Sequence, residues 1–210
     1  MTKTLTNNSL EEAVKALALR IPEFRLIMDQ FGVPPLWDRP SAFSTLLYII
    51  LEQQVSLASA KAVYEKLGEK LGEINPDNFL NLNDHELKTA GFSRQKMKYG
   101  RILAREIIDG HLNLSALSET PDDDVKKILM SVKGIGHWTS DIYLLMVLLR
   151  PDVWPHGDRA LAVAAFEVFG LKEIPDYDLL RSIADDWKPW RSVAARLLWH
   201  HYLSTPRKKY

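Results

Sequence analysis

Apolar residues recur at intervals of three and four positions along most of the chain, as they do in helices with one buried face. The segments AVKALAL, LLYIILEQQ and MKYGRILAREII show this spacing. Ser9, Ser56 and Ser93 each precede such a segment, and serine is a favoured residue at a helix N-cap. No segment alternates between apolar and polar residues as a half-buried strand does. The pattern predicts an all-α protein of about ten helices.

The composition is that of a globular protein without a marked charge. The 210 residues include 27 basic and 27 acidic side chains, so the net charge does not favour a polyanionic partner. The longest apolar runs are far shorter than the roughly 20 residues of a membrane span, and the N-terminal sequence lacks a signal-peptide pattern. We therefore expect a soluble, intracellular monomer with no membrane partner. The C-terminal sequence PRKKY is expected to be a solubilising tail.

The residue types also limit the available chemistry. Cysteine is absent, which excludes disulfides, thiol catalysis, iron–sulfur clusters and cysteine zinc sites. The six histidines show no metal-ligand spacing. We therefore expect no metal site.

A turn of sequence KGIG, residues 133–136, separates two helical segments. Glycine adopts positive φ and lets other groups approach the backbone closely. Gly134 and Gly136 therefore predict a hairpin with open amide groups at the start of the next helix, while Ile135 pins the turn to the core. Open amides at a helix start bind anions such as phosphate. An ordinary turn between helices, with a glycine cap, explains the same residues, and both interpretations stay open at this point.

Three other stretches give this turn a context. The hairpin sequence VKGIGHWTSD is followed by VWPHGDRALAVAAF and later by WKPWRSVAARLLWHHY, and IILEQQVSLASA precedes it. Together these stretches resemble the helix-hairpin-helix DNA glycosylase superfamily, in its AlkA-like branch of alkylation repair (3-methyladenine DNA glycosylase II). The resemblance covers roughly residues 40–203.

The resemblance implies two helical lobes with a DNA-binding cleft between them, within a single functional unit of residues 1–210. The helix-hairpin-helix is expected at about 121–149 and the catalytic loop at about 150–158. The C-terminal helices, at about 176–204, are expected to pack with the N-terminal ones. The implied partner is double-stranded DNA with alkylated bases.

The same resemblance implies roles for single residues. Asp158 is the expected catalytic carboxylate, which either stabilises the cationic transition state of glycosidic-bond cleavage or orients the attacking water. Its place at the start of an apolar segment also makes it a helix N-cap, and the two roles are compatible. Trp138 and Trp199 are expected to line a pocket for an extruded base. Tyr143 is expected there too, although it lies one position past an aromatic pocket site of the family, which Ile142 occupies here. A core position explains a large aromatic residue as well.

The expected DNA contacts lie in three segments. Gln53 and Gln54 end a helix where members of the family insert a residue into the gap left by the extruded nucleotide, and Gln54 aligns with that residue. The expected phosphate contacts are Lys133, Gly134, Ile135 and Gly136 in the hairpin, with Arg94 and Lys96 in a basic segment. A solvated helix face is the ordinary explanation of that basic segment.

Trp138 stands where the bifunctional branch typified by endonuclease III has a Schiff-base lysine. The resemblance therefore implies a monofunctional enzyme that hydrolyses the N-glycosidic bond of alkylated purines and leaves the strand unbroken. Three alternatives stay open. They are a glycosylase for neutral lesions such as uracil, hypoxanthine or a mismatched base, a non-catalytic helix-hairpin-helix DNA-binding module, and a helical scaffold unrelated to DNA.

We expect no cofactor, and a monovalent cation at the hairpin stays an open alternative. The expected location is the cytoplasm, with the nucleoid, in a prokaryote, or the nucleus in a eukaryote.

Overall fold

The computed structural model describes residues 4–206, and these residues form twelve α-helices, one short 3-10 segment and no strand. The all-α prediction is confirmed. Of the expected tail, only Pro206 lies within the described residues. In chain order the helices are α1 (Asn7–Arg20), α2 (Pro22–Phe31), α3 (Phe43–Glu52), α4 (Leu57–Leu71), α5 (Pro76–Leu80), α6 (Asp84–Ala90), α7 (Arg94–Ile108), α8 (Asp122–Ser131), α9 (His137–Met146), α10 (Arg159–Val168), α11 (Tyr177–Asp185) and α12 (Arg191–Ser204).

The helix boundaries follow capping residues. Ser56 and Ser93 cap α4 and α7 as predicted, each accepting a backbone N–H three residues further on at 3.2 Å. The prediction for Ser9 is wrong. Thr6 is the N-cap of α1, and Ser9 lies one turn inside the helix, where its hydroxyl accepts the Thr6 N–H at 2.8 Å. The helix begins before its first buried apolar residue, Leu10, so the apolar pattern placed the boundary too late.

The chain divides into two compact units, and the first comprises the described parts of residues 1–38 and 144–210. α1 and α2 pack against each other and against α12, which also packs on α10. Phe24 of α2 is fully buried and meets Phe169 and Trp187 edge-on. Burying a ring of this size contributes about 1.5–3 kcal/mol. The first and last helices of the chain therefore share one core.

The second unit comprises residues 39–143. Its central helix, α3, packs on α4 and α7 and is buried on nearly all sides, as expected for a helix in the middle of a core. Glu52, the last residue of α3, is buried and accepts two hydrogen bonds from the Arg39 guanidinium, at 2.8 and 2.9 Å. This two-pronged ion pair fixes the position at which α3 ends.

Candidate functional site

The glycine hairpin, residues 132–136, joins α8 to α9. Gly134 has a φ of 104°, a conformation that other residues rarely adopt. A Cβ atom there would overlap the ring of Tyr99 on α7. Ile135 is buried, and its N–H donates to the Val132 carbonyl oxygen at 3.0 Å. Gly134 and Ile135 therefore fix the hairpin to the second unit, as the sequence predicts.

Gly136 differs from Gly134 in both respects. Its φ is not positive, and a Cβ atom there would meet no described atom within 4 Å. Its carbonyl oxygen accepts the N–H of Ser140 at 3.0 Å, which places Gly136 at the N-cap of α9. Nothing in the described packing therefore requires a glycine at this position. The small residue leaves open space in front of a helix N-terminus, where an anion is favoured.

Lys96, on the first turn of α7, has its ammonium group turned toward the end of α3. Nζ donates to the carbonyl oxygens of Leu51 and Gln53, at 2.7 and 3.0 Å. Burial lowers the pKa of Lys96 from its ordinary value. Two of its three donors thus satisfy carbonyls at a helix C-terminus, where a cation is favoured. Lys96 thus caps α3 in this structure, and its expected phosphate role stays a prediction.

The two adjacent glutamines after α3 have different environments. The Gln53 side-chain amide donates to the Gly134 carbonyl oxygen and to the Thr139 hydroxyl, at 2.9 Å each. Gln54 is exposed and has a φ of 57°, in the left-handed region that non-glycine residues seldom occupy. Gln53 therefore ties the chain to the glycine hairpin, and Gln54 is the glutamine that is presented to solvent.

Gln54 belongs to a short segment, residues 53–57, that we call the insertion loop and that is exposed from Gln54 onward. Val55 and Leu57 are 45% and 54% exposed, so two apolar side chains flank the loop's cap residue, Ser56. Single exposed apolar residues are common on protein surfaces. Here they accompany a strained glutamine, and strained backbone is enriched at functional sites.

The three segments expected to bind DNA meet on the second unit. The start of α7 contacts the insertion loop through Lys96 and the glycine hairpin through Tyr99, while Gln53 joins the loop to the hairpin. Arg94 and Lys133 are exposed, and each lies within two positions in the sequence of a residue that makes one of these contacts. They remain the basic residues predicted to meet phosphates.

Asp158 lies in the first unit and caps α10. Its Oδ1 accepts the N–H of Leu161 at 2.9 Å and the indole N–H of Trp199 at 3.3 Å. The side chain is half-buried. Two donors on one oxygen, one from the backbone and one from a large ring, hold the carboxylate in a single orientation. Asp158 is therefore the N-cap of α10, and its carboxylate is also bound by the Trp199 ring.

The three aromatic residues expected in the base pocket occupy unlike positions. Trp199 is 8% exposed and adjoins Asp158, and Trp138 is half-buried on the first turn of α9. Tyr143 is fully buried, and its hydroxyl is hydrogen-bonded to Ser41 Oγ at 2.8 Å. Burial raises the pKa of Tyr143. A ring enclosed in the core has no face for a base, so Tyr143 is removed from the expected pocket.

One aromatic residue near Asp158 was missed by the sequence analysis. Trp37 lies between α2 and α3, is half-buried, and meets Trp199 edge-on with ring centroids 6.5 Å apart. It has a φ of 51°. The sequence PPLWDRP indicates an irregular segment, since prolines flank the tryptophan. Nothing in the sequence relates that segment to Asp158.

No group of three or more histidine, aspartate or glutamate side chains within residues 4–206 is placed to hold a metal ion. Over the same residues, every helix is too short or too polar to pass through a bilayer.

Comparison with known proteins supplies independent information. Residues 47–189 match the family described as HhH-GPD superfamily base excision DNA repair protein. A relative from Bacillus subtilis (strain 168), which carries the provisional name DNA-3-methyladenine glycosylase, is 29% identical over 181 residues. The matched region is 82% of this chain and 63% of that relative. The chain thus spans less than two thirds of the relative's length.

Two solved structures share the fold. The DNA-3-methyladenine glycosidase of Bacillus halodurans has a TM-score of 0.75 at 28% identity, over 91% of this chain and 89% of that one. The 3-methyladenine DNA glycosylase of Schizosaccharomyces pombe, solved in complex with abasic DNA, has a TM-score of 0.83 at 21% identity. That alignment covers 90% of this chain and 95% of the other, and it is a likeness of fold.

Proposed function

This chain belongs to the HhH-GPD superfamily of base excision DNA repair proteins, and we propose that it is a monofunctional DNA glycosylase acting on alkylated purines in double-stranded DNA. The observation that carries the proposal is the arrangement of Asp158, whose carboxylate accepts a backbone N–H of α10 and the indole N–H of Trp199. The relatives named for 3-methyladenine support the substrate class.

In the proposed reaction, the bond between the sugar C1′ and the purine nitrogen breaks, and the base leaves with the bonding electrons. Positive charge develops on the sugar, where the fixed carboxylate of Asp158 stabilises it. A water molecule then adds to C1′ and loses a proton, which leaves an abasic site. A purine such as 7-methylguanine is cationic before cleavage, so its departure neutralises the base and requires no acid.

The second unit supplies the DNA contacts in this proposal. The open space at Gly136 lets a phosphate reach the start of α9, and Lys133 and Arg94 add positive charge. Phosphate contacts position the duplex without reading its sequence. Gln54, exposed and strained, is the residue proposed to fill the gap left by the extruded nucleotide.

The proposed chemistry uses water and the chain's own residues, with no cofactor. The carbonyl oxygens of Val132 and Gly134 in the hairpin accept hydrogen bonds from Ile135 and Gln53. Each of these oxygens keeps a second lone pair, so a monovalent cation at the hairpin stays an open alternative. Trp138 cannot form a Schiff base, since an indole has no nucleophilic amine, so the strand is expected to remain intact.

The test is base release under single-turnover conditions, with enzyme in excess over labelled duplex. Substrates carry 7-methylguanine, 3-methyladenine, hypoxanthine or uracil at one position. We expect release of the methylated purines, with strand breakage only after alkali or heat and no adduct trapped by borohydride. Asp158→Asn is the matched control, because asparagine caps a helix as well as aspartate does.

The outcomes separate the alternatives. Release of uracil or hypoxanthine without methylated purines would assign the protein to neutral lesions. DNA binding with no base release would identify the protein as a non-catalytic DNA-binding module. A trapped borohydride adduct would show a lyase and contradict the proposed role of Trp138.

A further inference from the structure

We propose that Trp37 is a substrate-contacting residue whose ring stacks on the extruded base beside Asp158. This inference rests on the proposed function and adds a residue to the site from a part of the chain where no motif was found. Three observations support it. The backbone of Trp37 is strained, the buried Arg196 side chain binds the segment that leads into it, and the Trp37 ring contacts Trp199.

The backbone of Trp37 is strained. Its φ of 51° lies in the left-handed region, where a bulky side chain is an outlier. Within residues 4–206, Gln54 and Leu149 are the other non-glycine residues with positive φ. Such strain persists only where the surroundings enforce it, and it is enriched at active sites and ligand clamps.

The Arg196 side chain binds the backbone that leads into Trp37. Its guanidinium is fully buried, and Nε donates to the carbonyl oxygen of Leu36, which belongs to the peptide bond that leads into Trp37, at 2.9 Å. The remaining nitrogens donate to the carbonyl oxygens of Ser192 and Leu145, at 3.2 and 2.7 Å. Burial lowers the pKa of Arg196 to about 10. Burying a cation is unfavourable, so this segment is held at a cost in stability.

The Trp37 ring lies one contact away from the candidate carboxylate. It meets Trp199 at an interplanar angle of 69°, and Trp199 donates to Asp158. Trp199 itself is 8% exposed and is held by that hydrogen bond, so little of its face remains for a ligand. Trp37 is the more exposed residue of the pair.

An aromatic face near that carboxylate would favour binding of the extruded base. The sugar carbon that Asp158 stabilises carries the base, so the base must lie within a few ångströms of Asp158. Extruded bases are held by stacking between aromatic or apolar side chains, and a cationic purine is attracted to an aromatic face. Trp37, a half-buried tryptophan whose ring contacts Trp199, supplies such a face.

The experiment compares Trp37→Gly, Trp37→Ala and Trp37→Phe by single-turnover release of 7-methylguanine. We expect release to fall about tenfold or more in the Gly and Ala variants and to stay within a few-fold of wild type in the Phe variant. Affinity for undamaged duplex should not change. Glycine accepts a φ of 51°, so Trp37→Gly should melt at a higher temperature than Trp37→Ala and keeps the test valid if the Ala variant does not fold.

Trp187→Phe is the matched control, because Trp187 is a buried tryptophan of the same unit that packs against Phe24. It should lower the melting temperature without changing release per folded molecule. If folded Trp37→Gly releases 7-methylguanine at the wild-type rate, Trp37 is a packing residue and this inference is wrong. If the wild-type protein releases no base at all, the proposed function fails first, and the two failures are thereby distinguished.

Discussion

The side-chain amide of Gln53 donates to the carbonyl oxygen of Gly134 across 81 positions of sequence, at 2.9 Å. A second donor on the same nitrogen reaches the Thr139 hydroxyl. The amide therefore joins the end of α3 to both the glycine hairpin and the first turn of α9. In the proposed enzyme this bond sets the spacing between the residue that enters the DNA gap and the amides that bind phosphate.

Replacing Gln53 with methionine, which has similar length and no donor, should disconnect the loop from the hairpin. Two lost hydrogen bonds, each contributing about 0.5–1.5 kcal/mol, should lower the free energy of unfolding by about 1–3 kcal/mol. DNA affinity should fall as well, because the loop and the hairpin would no longer be held together. Urea titration and binding to a labelled duplex measure the two effects.

Gln54→Met is the control for this substitution. Gln54 is exposed, so its replacement should change stability by less than about 0.5 kcal/mol. It should instead slow release of the damaged base. Equal stability losses at the two positions would contradict the distinction drawn between the two glutamines.

Gly136→Val should separate DNA binding from folding. A Cβ atom at this position meets no described atom within 4 Å, so stability should fall by about 1 kcal/mol, the usual cost of a poor N-cap. Binding to undamaged and damaged duplex should weaken alike, by about tenfold or 1.4 kcal/mol. Gly134→Val should unfold the protein more readily, since it overlaps Tyr99 and requires a positive φ. Normal affinity in a folded Gly136→Val protein would rule out the phosphate role of the hairpin.

The salt dependence of binding should distinguish the two lysines. Neutralising one phosphate contributes about 0.9 to the slope of log affinity against log salt concentration. Lys133→Met should reduce the slope by about that amount. Lys96→Met should leave it unchanged and lower the melting temperature, because Lys96 is bound to the carbonyl oxygens of Leu51 and Gln53. A reduced slope for Lys96→Met would restore that residue to the phosphate contacts.

Asp158→Asn should abolish most catalysis and preserve the fold. Asparagine keeps an oxygen for the N–H groups of Leu161 and Trp199 and loses the charge. Release of 7-methylguanine should slow by a hundredfold or more, about 2.7 kcal/mol of transition-state stabilisation. Asp158→Ala should in addition lose about 1 kcal/mol of stability. Circular dichroism checks folding, and release by the Asn variant within a few-fold of wild type would leave Asp158 as a cap alone.

Local features of this protein could be predicted from its sequence, since they depend on near neighbours in the chain. The caps at Ser56 and Ser93, the positive φ of Gly134 and the burial of Ile135 all follow from residue type and spacing. Each is decided within about one helical turn. The early start of α1 was missed because its first turn is polar.

Features that depend on the direction of a side chain in the folded unit could not be predicted. Gln53 and Gln54 are adjacent residues of the same type. Only the packing of distant segments determines that Gln53 binds the hairpin while Gln54 stays exposed. Lys96 lies in a basic segment, but its partner carbonyls are more than forty positions away. Tyr143 is aromatic in the expected region, although its ring points into the core. Trp37 lies far from Asp158 in the sequence.

The double use of the Asp158 oxygen has an evolutionary consequence. Since the same atom begins α10 and serves the proposed chemistry, a change to asparagine removes the charge while the helix keeps its cap. Aspartate and asparagine codons differ at a single nucleotide. One point mutation would therefore turn a repair enzyme of this design into a stable protein that binds damaged DNA and leaves it uncut. A descendant of that kind would shield lesions or mark them for other proteins.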